Sequence, residues 1–238
     1  MILIEKRKSA VFFLFLIASV VFTHNLRAGD VASFVDLGFS QNGKIYMFAQ
    51  YGVNEHNLHP WSELYIVDVD QNEFVSGGRI SYKHDTPVAL GQDGSAALLR
   101  VVSRNSEIIQ KYRANFMHQG IPLFISLEDV RTPDGHTIDF RDFERGVFYS
   151  ASLKSIVYGS GAGIRSSFYI IFESRARNGV KKIYRVGNPD VKRAGVMTYS
   201  IKKAIVNPER SSIILVIEMT MKTNDGADIR YMIEALRL

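Results

Sequence analysis

Residues 39–52 read FSQNGKIYMFAQYG. Asn42-Gly43 accepts the positive φ that a tight hairpin demands. The residues after it alternate: Tyr46, Phe48 and Gln50 fall on one side of an extended chain, and Ile45, Met47, Ala49 and Tyr51 on the other. Both sides are largely apolar, which predicts a strand covered on two faces. The aromatic-Ser-x-Asn-Gly-Lys run has the outline of the inner hairpin of a β-propeller blade, and so asks whether the chain is a propeller.

Working outward, the same punctuation recurs. Asn178-Gly179, Asp134-Gly135 and Asp225-Gly226 each separate apolar runs rich in β-branched and aromatic residues. In ELYIVDV, residues 63–69, Leu64, Ile66 and Asp68 alternate against Tyr65, Val67 and Val69. Residues 167–172, 182–186, 212–219 and 229–236 read as further strands. Residues 199–236 echo residues 35–69: strand, turn, strand, polar loop, strand. Two such units do not close a ring, which takes at least about four blades. The hairpin therefore resembles a blade in a chain that is not an ordinary propeller.

Residues 93–118 break the pattern. Leu98, Val102, Ile109, Tyr112 and Phe116 recur at mostly three- and four-residue steps, with Arg100, Arg104, Glu107, Lys111 and Arg113 between them. That spacing predicts one amphipathic helix laid on the sheet, capped by Asp93 or Ser95 and ended at Gly120-Ile121-Pro122. The expected fold is mainly β (α+β): antiparallel blade-like β meanders with one long amphipathic helix packed on the sheet.

The N-terminus carries an address. Lys6, Arg7 and Lys8 precede the apolar run AVFFLFLIASVVF of residues 10–22, and Leu26-Arg27-Ala28 offers a small residue for cleavage. This is the three-part plan of a secretory signal peptide, with a run short of the ~20 residues a bilayer span needs. Residues 1–28 are expected to be the signal peptide and residues 29–238 a single exported β-rich domain. The chain's net charge of +5 owes much to that segment, which holds four basic side chains and one acidic. Without it 25 basic residues face 23 acidic ones, a balance of +2 that makes no electrostatic case for nucleic acid. There is no cysteine, so disulfides, thiolate metal sites, cysteine nucleophiles and a lipid-modified N-terminal cysteine are excluded.

Several pieces together resemble the domain of unknown function 2259 family of predicted secreted bacterial proteins. They are Phe39-Ser40-x-x-Gly43-Lys44, Phe48-Ala49-x-Tyr51-Gly52, Ser62-Glu63-Leu64-Tyr65-x-Val67-Asp68, the helical segment and Asp228-Ile229-Arg230-Tyr231-Met232. The resemblance implies export and brings no activity or site residues with it. Asn207-Pro208-Glu209-Arg210 departs from it by lacking the expected Asp-Gly.

Chemistry is sparse. Asp68-Val69-Asp70-Gln71-Asn72 opens like a calcium loop but has Glu73 where the turn needs glycine and Arg79 where the loop needs a bidentate Glu. Gly159-Ser160-Gly161-Ala162-Gly163 is followed by a strand pattern rather than the helix a phosphate cradle needs. Glu128, Asp129, Asp139, Asp142 and Glu144 are interleaved with Arg131, Arg141 and Arg145, as on a solvated face. The candidate ligand-binding loop is His56, His59, Trp61 and Glu63, which gathers two imidazoles, an indole and a carboxylate between strands. No catalytic residue, metal or cofactor is expected. The expected role is a non-enzymatic periplasmic or extracellular binding or interaction protein, the alternative an envelope hydrolase acting on carbohydrate or peptide. The expected partner is an envelope protein or small ligand, with no nucleic acid, and with membrane contact only through residues 1–28 if they are retained.

Overall fold

The computed structural model describes residues 29–127, 135–223 and 226–238. The expected signal peptide lies outside the described residues, as do Glu128, Asp129, Arg131, Asp134 and Asp225. Three antiparallel sheets make up the body. The first is the meander β1 (Ser33–Phe39), β2 (Ile45–Val53), β3 (Pro60–Asp68) and β4 (Glu73–Lys83). The chain then forms α1 (Ser95–Arg104) and α2 (Ser106–Tyr112), followed by β5 (Ile121–Ile125). The second sheet contains β6 (Thr137–Asp142), β7 (Val147–Tyr158) and β8 (Arg165–Arg175), with β9 (Lys181–Val186) and β10 (Arg193–Ala194) sharing the free side of β8. The third runs β13 (Ala227–Arg237), β12 (Ser212–Lys222), β11 (Val196–Val206) and β5 in spatial order.

The sheets stack as layers, with the third in the middle. On β2 and β3, Tyr46, Phe48, Tyr65 and Val67 pack against Ile205, Ile214, Val216 and Ile233 of the third sheet. The opposite face of the first sheet, with Met47, Ala49, Leu64 and Ile66, packs on Val101 and Ile109 of the helices. Ile213, Leu215 and Ile217 point the other way, into Phe168, Ile170 and Phe172 of the second sheet. The two faces predicted from alternation along residues 45–51 and 63–69 are thus the two faces observed. Each fully buried aliphatic or aromatic side chain contributes about 1.5–3 kcal/mol of transfer free energy. The echoing units, β1–β3 and β11–β13, lie face to face, but the layer between the first and second sheets comes last in the chain.

The single long helix is not there. Two short helices replace it, broken at Asn105. The Asn105 amide donates to the Val101 carbonyl at 2.7 Å, a side-chain bond that competes with the helical ladder. Arg113, in the left-handed region at φ 54°, ends the second helix well before Gly120. Phe116 is exposed rather than part of the packed stripe. Neither expected cap is the N-cap: that position is Gly94, with no side-chain cap bond, and Asp93, one residue earlier, accepts from the Ser95 backbone N–H at 3.1 Å.

Turns from all three sheets meet at one point. Gly43 has φ +66°, and a Cβ there would sit 2.5 Å from the Asn207 amide, so glycine is required twice over. The turn at residues 207–210 has no glycine; Arg210 itself takes φ 53°. Asn207, fully buried, compensates. Its Oδ1 accepts from the Ser211 and Ser212 backbone N–H groups at 2.8 and 2.9 Å, and its Nδ2 donates to Glu209 and to Ser211 Oγ. The Arg210 guanidinium pairs with buried Asp142 and, at 2.5 Å, with Glu144. Arg145 donates to the carbonyls of Glu209 and Arg210. Asp142 is therefore not on a solvated face. Burial works to raise its carboxyl, but the Arg145 and Glu144 N–H groups and the Arg210 guanidinium outweigh it and hold it below the ordinary value.

Asn207→Ala leaves one buried and one part-buried backbone donor without acceptors, at about 1–3 kcal/mol each. A loss of roughly 2–4 kcal/mol in urea unfolding is expected; a loss under about 0.5 kcal/mol, the scatter of ordinary surface changes, would show that the turn holds without it.

Candidate functional site

Strand alternation puts Trp61, Glu63 and Tyr65 of β3 on the face that looks across to β13. Gln50 stands opposite Glu63 in the β2–β3 register. Glu63 Oε2 accepts from Gln50 Nε2 at 2.7 Å and from the Tyr65 hydroxyl at 2.6 Å. Gln50 Oε1 accepts from the Tyr231 backbone N–H at 2.8 Å, which ties the network to β13. Burial, then the Glu63 carboxylate, pushes the Tyr65 hydroxyl well above its ordinary value, so it serves as a fixed donor.

One turn away along β3, the Trp61 indole donates to Asp30 Oδ2 at 2.7 Å. The Arg230 guanidinium lies 4.3 Å over the Trp61 ring and pairs with Asp30 at 2.8 Å and Asp228 at 3.4 Å. It also donates to the carbonyls of Asp30 and Ile229. Burial raises the Asp30 carboxyl, against the pull of Arg230 and the Trp61 bond. Gly52 makes this possible, since a Cβ there would come within 2.9 Å of both Asp30 Oδ1 and the Trp61 ring. The cluster ties the chain just past residue 28 to β3 and β13.

The gap between the first sheet and the segment around β10 opens over β13 as a two-part groove. One end, of about 550 Å³, is lined by Gln50, Glu63, Tyr65, Arg79, Arg193 and Arg230 among others. The other, of about 580 Å³, is lined by Asn72, Glu73, Ile233 and Glu234. Phe74, Arg193 and Met232 line both, so the two ends are continuous. Among the described residues neither Arg79 nor Arg193 is in ion-pair contact with a carboxylate. At the far end Asn72 donates to Glu234 Oε2 at 2.5 Å and accepts from the Ala235 backbone N–H at 2.6 Å.

The four residues expected to form a ligand loop are divided. Trp61 and Glu63 are on β3, Trp61 in the anchoring cluster and Glu63 on the groove wall. His56 is exposed in the β2–β3 connection, and His59 Nδ1 faces the His84 carbonyl at 2.9 Å. Among the described residues no group of three or more His, Cys, Asp or Glu is placed to hold a metal ion. Sequence reasoning placed none of Gln50, Tyr65, Asn72, Arg79 and Arg193 at a site; Asn72 and Arg79 entered only through a calcium-loop pattern that they do not complete. The one signal was Gln50, a polar residue on the same side of β2 as Tyr46 and Phe48.

A family model described as a predicted secreted protein of domain of unknown function 2259 matches residues 47–237. No curated protein and no solved structure matches the chain. No helix among the described residues is long and apolar enough to cross a membrane.

Burial lifts the Glu234 carboxyl above its ordinary value, against the Asn72 amide and the Arg193 guanidinium, which pull it down. Protonation is then favoured in the folded chain, so this group adds stability as the pH falls from neutral towards the ordinary value of about 4.3. Glu234→Gln removes that titration and keeps an oxygen for Asn72. Its Tm is expected to exceed wild type at pH 7, with the gap closing near pH 4. An equal offset at both pH values would overturn the assignment.

Proposed function

Because the chain belongs to the domain of unknown function 2259 family of predicted secreted proteins, we propose that it is an exported binding protein. It holds an anionic ligand in the groove over β13 and releases it unchanged. The observation that carries this reading is the pair Arg79 and Arg193, which reach the groove from different sheets and, among the described residues, make no ion-pair contact with a carboxylate. A cation without its counter-ion, beside apolar Phe74 and Met232, favours an anion with an apolar body. Arg230 is already saturated by Asp30 and its neighbours and serves as the wall.

The hydrolase alternative has less support. Glu63 is the carboxylate that lines the arginine end, and it already accepts two hydrogen bonds. A glycosidase pair needs two carboxyl groups facing each other across the ligand. Residues 1–28 act in this proposal as the export address, with a periplasmic or extracellular destination, and the Asp30–Trp61–Arg230 cluster holds the new N-terminal end once they are removed.

Trp61, the single tryptophan, lies under Arg230, which lines the groove. Titrating the purified exported protein with a low-molecular-mass extract of its own envelope is expected to change Trp61 emission saturably. The Arg79→Ala/Arg193→Ala variant is expected to need about tenfold more extract or worse, the equivalent of one lost charge-assisted contact. Mass spectrometry is expected to recover the bound species unaltered. An equal response in the variant would remove the site, and a converted species would put the hydrolase in place of the binder.

A further inference from the structure

The floor of the groove is a strand edge. Among the described residues β13 pairs with β12 on one side and, beyond the single bridge at Ile229, with no strand on the other. Its odd-numbered residues turn their N–H and C=O groups outward. Ile229 N–H donates to the Asp30 carbonyl at 3.0 Å, and its own carbonyl accepts from Ala32. Tyr231 N–H is taken by the Gln50 side chain, and Ala235 N–H by the Asn72 side chain. Antiparallel pairing alternates strictly, so Ile233, midway between the last two, also presents its N–H and C=O to the groove. Among the described residues nothing bonds to them, and Ile233 lines the groove at that point.

An open edge invites a strand, and natural proteins cap such edges. Here the two side-chain amides occupy the positions on either side of Ile233 as substitutes for peptide groups. The edge has also shown that it takes an extended chain, since Val31 forms a parallel bridge to Ile229 on the same side. What remains is one donor and one acceptor on the same residue, flanked by the apolar side chains of Phe74, half exposed, and Met232. A fatty chain has no complement for that pair; a peptide residue carries both complements at the spacing of an antiparallel ladder.

We propose that the ligand is an extended peptide that adds to β13 antiparallel, pairing its central residue with Ile233. This rests on the binding reading of the groove and names the class of ligand. Charge sets the direction. Glu73 and Glu234 stand at the Asn72 end, where a peptide amino terminus or basic side chain is neutralised; Arg79 stands at the other, where its carboxylate or acidic side chain goes, and Arg193 lines both ends. Since β13 runs from Arg230 to Glu234, that orientation is antiparallel, and in an antiparallel pair one residue exchanges both bonds with its partner. Because Gln50 and Asn72 hold the Tyr231 and Ala235 N–H groups, only the centre of a pentapeptide pairs, at Ile233, and its two end residues turn away from the edge towards the charged ends of the groove. Recognition of this kind draws affinity from the main chain and selectivity from alternate side-chain pockets.

The test uses the purified exported protein and three synthetic pentapeptides. The first is KVTVE with free termini. The second is the same peptide N-methylated at its central threonine, which removes the donor to Ile233. The third is the charge-reversed EVTVK, acetylated and amidated. KVTVE is expected to bind by Trp61 fluorescence and to slow amide exchange at Ile233. The other two are expected to bind about tenfold more weakly or worse. If the N-methylated peptide binds as well as KVTVE, or the Ile233 amide exchanges at its free rate, strand pairing is wrong while ligand binding stands. If no peptide binds and the envelope extract still responds to Arg79→Ala/Arg193→Ala, the peptide class falls alone. If neither binds, the proposal and the binding reading fall together.

Discussion

The middle sheet has no face it can show to water. Residues 213–217 are Ile-Ile-Leu-Val-Ile, and all five side chains are fully buried. Because side chains alternate along a strand, Ile213, Leu215 and Ile217 demand a cover on one side and Ile214 and Val216 on the other. The first sheet supplies one and the second sheet the other. The stack follows from this one constraint, and so does the chain path. β5 is laid on the edge of β11 before the second sheet is made, and the strands that complete the middle sheet arrive last.

Two covers that pack on opposite faces of one sheet also overhang its edge. At β5 the edge is short; at β13 it is long, and the overhanging parts are β3–β4 on one side and the segment around β10 on the other. The space between them is the groove. Its chemistry is therefore a consequence of layering: Arg79 comes from the first sheet, Arg193 from the second and Tyr231 from the third. Two of the groove's three carboxylates already hold hydrogen bonds, and Glu73 stands at the Asn72 end. Glu63 receives the Gln50 and Tyr65 donors, and Glu234 receives Asn72.

At the far end of the stack the three sheets are pinned by their turns. Gly43 admits the Asn207 amide, Asn207 organises the turn that Arg210 closes, and Arg210 reaches Asp142. A buried ion pair contributes little net stability against a well-packed apolar substitute, but removing one partner is costly, and the pair tolerates few alternative geometries. Its position where turns of all three sheets touch suits it to fix how the layers register.

Much of the body was legible in the chain itself. Asn-Gly turns and two-sided apolar alternation marked the strands, and they assigned the correct faces of β2 and β3 because period two is a local property. The β-rich class, the absence of thiol chemistry and the resemblance to secreted proteins came from residue types alone. The helix failed because periodicity does not register a side chain that bonds its own backbone: Asn105 and left-handed Arg113 cut one expected helix into two. Asp142 was misplaced because its partner lies 68 residues away. The groove was out of reach for the same reason. Arg79, Arg193 and Ile233 are ordinary in sequence, and only the stacking of three sheets over one edge brings two cations and an open backbone pair to the same place.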